Sequence, residues 1–284
     1  MVYIMFRFIN NLKTTVLLAA IMGLFLFVGS FFGPRGMVFA LILGGAMNII
    51  AYFFSDKIAL VSMRAQPVTQ EQAPELVAMV RELAEKAHLP MPRVCICPQD
   101  APNAFATGRN PHKAVVAVTR GLLQSLNRNE LKGVIGHELA HVKHRDILIS
   151  SVAATIAGGI TALSYMLYFV PLGGDNRRGN PFAALAMLIL APFAASLIQL
   201  AISRKREYNA DSFGADLAGD PMYLASALEK LHNYNRSIPM HVPLESQKNM
   251  FIVQPFSGRG GMDLFNTHPS LKNRLQALIG REHL

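Results

Sequence analysis

Four stretches of the chain carry no charged residue: Thr14 to Pro34, Gly36 to Ser55, Ile147 to Gly174 and Gly179 to Ser203. Each matches the roughly 20 apolar residues that a helix needs to cross the hydrocarbon core of a bilayer. Arg35 alone divides the first two, which predicts a helical hairpin turning at Gly33-Pro34-Arg35-Gly36. A cleaved signal peptide is not expected there, because its apolar region would be shorter and the second run follows too soon. Asp175, Asn176, Arg177 and Arg178 divide the other two runs, which predicts a second hairpin. Gly158, Gly159, Pro171, Pro181 and Pro192 interrupt that pair, so buried core helices or a re-entrant hairpin stand as the alternative to full spans.

The polar parts have different periods. From Glu71 to His88 the apolar residues Leu76, Val77, Val80, Leu83 and Ala84 recur at helical spacing, with Pro74 in the first turn and Leu89-Pro90 as the stop. Arg93 to Cys97 and Lys113 to Thr119 are strand-like runs. Asn103 to Thr107 lies between them, among the turn markers Pro102, Gly108 and Pro111, so a small sheet is expected whose outer strand could accept a peptide. Asn127 and Glu130 form a capping-box pattern that opens a helix running through His144. The fold class is therefore α+β, mainly α. Residues 1–55 form an N-terminal transmembrane hairpin and 147–203 a second one. Residues 56–146 and 204–284 are each small for a domain, so they are expected to fold together as one cytoplasmic domain with the second hairpin inserted.

Composition supports a membrane protein. Hydrophobic residues make up 51% and charged residues 16%, with a mean hydropathy of +0.29, whereas soluble domains carry about 25% charged residues. The formal net charge of +9 is scattered, with no aromatic-interleaved basic platform, so no nucleic-acid partner is expected. The positive charges flank the spans unevenly. Arg7, Lys13, Lys57, Arg64, Lys143, Arg145, Arg204, Lys205 and Arg206 lie on one side, and Arg35, Arg177 and Arg178 on the other. Because basic loops stay in the cytoplasm, both termini and the central segment are predicted to be cytoplasmic. Cys95 and Cys97 are too close in sequence for a structural staple and read as free thiols on one face of a buried strand.

The chemistry begins at His137-Glu138-Leu139-Ala140-His141. Residues four apart on a helix share a face, so two imidazoles can hold one Zn²⁺. Glu138, one position round, can reach a zinc-activated water as general base. A catalytic zinc needs a third protein ligand. Glu207 in Arg204-Lys205-Arg206-Glu207-Tyr208-Asn209-Ala210-Asp211 can supply it, and Asp211, one turn later, can accept a hydrogen bond from the free ring N–H of a ligand histidine. His144, three residues beyond His141, is assigned to the surface or to a charged cluster with Arg145 and Asp146.

These motifs, with Val142-Lys143-His144-Arg145-Asp146, Asn103-Ala104-Phe105-Ala106-Thr107-Gly108 and His268-Pro269, resemble the HtpX family of integral-membrane zinc metallopeptidases, relatives of the eukaryotic CAAX prenyl endoprotease. The resemblance extends over essentially the whole chain. It implies a zincin-like catalytic domain, one Zn²⁺ held by His137, His141 and Glu207, Glu138 as base and Asp211 as support. It further implies that Asn103, Ala104, Phe105, Ala106, Thr107 and Gly108 form an edge that pairs with extended substrate, and that His268 steadies the developing oxyanion. The implied activity is endopeptidase cleavage of damaged or misfolded membrane proteins in a bacterial inner membrane, with a role in stress response. With fewer membrane runs than the prenyl protease, the chain is not expected to enclose an intramembrane chamber or to take a lipidated substrate. A different class, a membrane scaffold or holdase with a structural zinc site, would have no need of Glu138. A transporter would want ionisable groups within the spans, and the four runs contain none.

Overall fold

A computed structural model describes residues 2–30, 33–169, 204–237 and 269–280. In chain order the elements are α1 (Val2–Ser30), α2 (Gly33–Ser62), β1 (Gln66–Pro67), α3 (Pro74–Lys86), β2 (Arg93–Cys97), β3 (Ala104–Thr107), β4 (Val115–Thr119) and α4 (Arg120–Ser125). They continue with α5 (Arg128–His144), α6 (Ile147–Phe169), α7 (Arg204–Ala218), α8 (Pro221–Ser237) and α9 (Leu271–Ile279).

Helices α1 and α2 form the first hairpin, and both contain stretches long and apolar enough to cross a membrane, Asn10–Phe27 and Gly33–Ser62. Their outer faces carry large apolar side chains with nothing over them, including Phe39 at 67% and Ile42 at 66% exposure, which suits lipid and not water. The turn comes earlier than its sequence markers: Gly33 at φ +70° already starts α2, and Pro34 sits in the first turn, where its missing N–H costs nothing. Helix α2 also continues past Ser55 through Asp56 and Lys57 to Ser62, because a charge ends an apolar run without ending a helix. Helix α6 packs back on this pair through Leu17, Ile21, Ala51, Ile149, Val152 and Ile156, so it joins the first hairpin in one bundle. Most of the expected second hairpin, residues 170–203, lies outside the described residues.

The sheet has the order β1-β2-β4-β3, with β2 and β4 parallel and both outer strands antiparallel to their neighbours. Helix α3 begins at Pro74, three residues later than the apolar period suggests, because Pro at the first position opens the helix. Strand β4 begins at Val115, since Asn110 caps a short 3-10 turn over Pro111–Lys113. Cys95 and Cys97 are buried free thiols beside Phe105, Val115 and Ala117, and burial pushes the Cys97 thiol up to about 12.

The larger core joins the two polar segments. Leu76, Val80 and Leu83 of α3 and Val134, Ile135 and Leu139 of α5 pack with Leu217 of α7 and Leu224, Leu228 and Leu231 of α8. Helix α5 opens with the expected capping box between Asn127 and Glu130, and Glu130 also accepts from Ser226 and Lys230 of α8. Two glycines bring α5 and α7 close: a Cβ on Gly214 would meet the backbone of His137 at 2.5 Å from N and 2.7 Å from Cα. Backbone cannot yield as a flexible side chain does, and overpacking of this kind costs about 1–3 kcal/mol. Gly214→Ala is thus expected to lower the thermal unfolding temperature and the metal content together. Gly23→Ala, whose added Cβ meets nothing within 4 Å, should change neither.

Candidate active site

The close crossing of α5 and α7 sets two pairs of residues, each four apart on its own helix, against one another. From α5, the rings of His137 and His141 meet edge to face at 87°, with their Nε2 atoms 3.2 Å apart. From α7, Glu207 spans both: Oε2 lies 3.8 Å from His137 Nε2 and Oε1 3.7 Å from His141 Nε2. The three ligand atoms all lie within 4.8 Å of one another.

The far side of each ring is held by a carboxylate. Asp211 Oδ1 is 2.9 Å from His137 Nδ1, a close approach that lies off the axis of the ring N–H. Asp146 Oδ2 is 3.2 Å from His141 Nδ1. With a carboxylate beside each Nδ1, the tautomer protonated at Nδ1 leaves both Nε2 atoms to offer lone pairs to the point that Glu207 faces. Three converging acceptors repel unless a cation lies between them. Among the described residues the buried carboxyl groups of Glu138, Asp146, Glu207 and Asp211 outnumber the two buried guanidiniums, Arg206 and Arg274, so the cluster favours added positive charge. The donor set fits a divalent metal.

Burial alone would depress the His141 imidazole, but Asp146, Glu207 and Glu138 together raise it to about 9, another sign that this point favours positive charge. For His137 burial prevails over Asp211 and the shift is downward. Burial also raises the Glu138 carboxyl, to about 7. Glu138 follows His137 on α5 and is buried, and the backbone of Ala106 in β3 lies near enough to lower its carboxyl against that burial.

Strand β3 is an edge strand. Asn103 exchanges hydrogen bonds with Thr119, its N–H to Oγ1 at 2.8 Å and its carbonyl from the Thr119 N–H at 2.9 Å. Antiparallel alternation then gives Phe105 to β4 and turns the backbone groups of Ala104 and Ala106 outward, toward the site. Thr107 ends the strand with a buried hydroxyl contact of 2.8 Å to Ser151 of α6. Gly108 follows at φ +131°, and a Cβ there would lie 2.5 Å from the Lys113 carbonyl, so only glycine fits.

The residues His137, Glu138, His141, Glu207, Asp211 and Ala106, all singled out from sequence, thus converge. His144 stays out of the cluster, but it is half-buried against the Phe213 ring at 5.5 Å, not on the open surface. His268 lies outside the described residues. Sequence reasoning missed two supports. Arg274 of α9 grips Asp211 with both prongs, Nε to Oδ2 at 2.8 Å and a terminal nitrogen to Oδ1 at 2.5 Å. Asp146 reaches back because Arg145 takes the left-handed conformation, φ +60° and ψ +34°, ending α5 and returning the Asp146 N–H to the His141 carbonyl. A carboxylate five residues after the second histidine was the available signal for Asp146. Arg206, counted from sequence as a juxtamembrane cation, is buried against Asp146 instead.

Comparison with known proteins agrees with this geometry. The profile of peptidase family M48 matches residues 70–282. The Protease HtpX homolog of Methylibium petroleiphilum is 50% identical over 274 residues, spanning 95% of this chain and 97% of its own length. That of Burkholderia mallei is 48% identical, spanning 95% and 96%. Among solved structures, S. mikatae Ste24p superposes with a TM-score of 0.51 at 18% identity over 97% of this chain and 67% of its own, a likeness of fold. Family profile, relatives and a converging His/His/Glu set lead to one conclusion: the chain belongs to peptidase family M48 and is a membrane metalloprotease.

Proposed function

We propose that the chain is a zinc-dependent endopeptidase that cleaves misfolded or damaged membrane proteins at the cytoplasmic face of a bacterial inner membrane, one zinc per chain. The observation that carries this reading is Glu138, a buried carboxyl group next to His137 on α5 with both Glu207 and the Ala106 backbone of β3 as neighbours. Nitrogens bound tetrahedrally to zinc at about 2.1 Å lie about 3.4 Å apart, close to the 3.2 Å between the two Nε2 atoms. Zinc held there supplies Lewis acidity, acidifying water and polarising a carbonyl.

The chain's own residues do the rest. The outward groups of Ala104 and the Ala106 carbonyl offer a ladder to an extended substrate, which reads backbone and tolerates many side chains. Glu138 takes a proton from the attacking water and delivers it to the departing amine. His268 is assigned to the oxyanion. A structural zinc in a scaffold would need no such base, which favours the enzyme over a holdase. Residues 56–146 and 204–284 act as one catalytic unit around the shared core.

The depth of the site supports a membrane substrate. Asn10, where the apolar span of α1 begins, donates to the His144 carbonyl at the end of the catalytic helix. The uncharged run starts at Thr14, about 6 Å further along at 1.5 Å per residue. The uneven Lys and Arg support a cytoplasmic position for this end. The test uses detergent-purified protein stripped with a chelator, then given zinc, against one membrane protein in folded and unfolded forms. Cleavage of the unfolded form alone, and only after zinc is restored, is expected. No cleavage with zinc bound would overturn the enzyme reading; equal cleavage of the folded form would overturn the substrate reading.

A further inference from the structure

Among the membrane helices, α1 carries a polar side chain into the active-site scaffold. Asn10 is buried, and its amide makes contacts that fix which way it points. The Nδ2 end faces three acceptors: the His144 carbonyl at 3.1 Å, the Arg145 carbonyl at 3.3 Å and Asp146 Oδ1 at 2.9 Å. The Oδ1 end receives Arg206 at 3.4 Å, and Arg206 also donates to Asp146 Oδ1 at 3.3 Å. Only a side chain that donates at one end and accepts at the other satisfies this arrangement.

We propose that Asn10 is a positioning residue for the metal centre, bracing Asp146 from the membrane so that Asp146 aims the Nε2 of His141 at the metal. The inference rests on the zinc reading above and extends it to the anchor. Asp146 divides its oxygens between two tasks: Oδ2 meets His141 Nδ1, while Oδ1 is held by Asn10 and Arg206. Rotation about the Asp146 side chain would release both. Asn10 also satisfies the two carbonyls left over where α5 ends in its left-handed turn, so it holds the backbone from which Asp146 projects. The N-terminal hairpin is on this account part of the catalytic apparatus, and sliding or tilting of α1 changes the grip on one metal ligand.

The test measures zinc affinity of the full-length protein in detergent by competition with a chromogenic chelator, with thermal unfolding of the metal-free form read in parallel. Asn10→Asp keeps the shape and replaces the donor with a third carboxylate oxygen facing acceptors. Loss of such outer support costs about 10–100-fold in metal affinity, and a weakening in that range is expected. Asn48→Ala removes a different tie within the same hairpin, Nδ2 to the Leu18 carbonyl at 3.0 Å, and should leave zinc affinity unchanged whatever it does to stability. If Asn10 acts through Asp146, adding the Asn10 change to Asp146→Ala weakens zinc binding no further. Asn10→Ser, which retains one donor, serves if the aspartate variant does not fold, with an intermediate loss expected. Equal zinc affinity in the Asn10 variants and the unmodified chain overturns the brace alone, as do losses that add in the double variant. Failure of the unmodified chain to bind zinc overturns the metal reading and the brace together.

Discussion

Glu138→Gln is expected to reduce peptide hydrolysis by about 10²–10⁴-fold, the range that a positioned general base contributes, while metal content stays at the unmodified level. The side chain is 5% exposed and close in size to glutamine. Glutamine keeps an oxygen acceptor in the same buried place near the Ala106 backbone, so β3 and α5 should keep their spacing. What is lost is the ability to take up a proton. His137, His141 and Glu207 are untouched, and Glu138 is not among the residues whose ligand atoms converge. Glu207→Ala gives the reverse pattern, loss of metal and with it of activity. Measuring bound metal beside the cleavage rate separates the two. Metal loss in Glu138→Gln would reassign Glu138 from base to ligand.

The contrast between what sequence revealed and what it did not follows from distance along the chain. His137 with His141, and Glu207 with Asp211, are each four residues apart on one helix, so the helical period alone shows that each pair shares a face. Asn127 and Glu130 are equally local, and the capping box appears as expected. The partners of these groups arrive from far away. Asn10 reaches Asp146 across 136 residues and Arg274 reaches Asp211 across 63, and no local pattern distinguishes them from solvated or juxtamembrane polar residues. Arg206 was misplaced for a related reason: in the run Arg204-Lys205-Arg206 three cations look alike, and only the helix phase turns the third inward beside Glu207. The ends of the spans were blurred because charges mark where an apolar run stops and not where the backbone hydrogen bonds stop, which is how α2 continues to Ser62.

Arg274→Met should produce the largest loss of stability among the described buried pairs. Arg274 is 2% exposed and grips Asp211, itself 1% exposed, in a two-pronged contact. Burial on its own would raise the Asp211 carboxyl; the guanidinium outweighs it and holds Asp211 below the usual carboxylate range. Removing one partner of such a pair leaves a charge in a dry site and costs about 3–5 kcal/mol. The consequence reaches the metal centre, because Asp211 then either protonates or turns, and in both cases His137 loses the anion beside its Nδ1. Thermal unfolding of the metal-free protein and zinc affinity should therefore fall together. Arg274→Lys keeps the charge without the fork and should fall between the two. The double variant Arg274→Met with Asp211→Asn separates the causes. With no buried charge left unpaired it should regain most of the stability, yet only part of the zinc affinity, since a neutral amide orients the imidazole more weakly than a carboxylate. Full recovery of both would show that Arg274 serves only to neutralise Asp211, and unchanged behaviour of Arg274→Met would show that α9 does not support His137 at all.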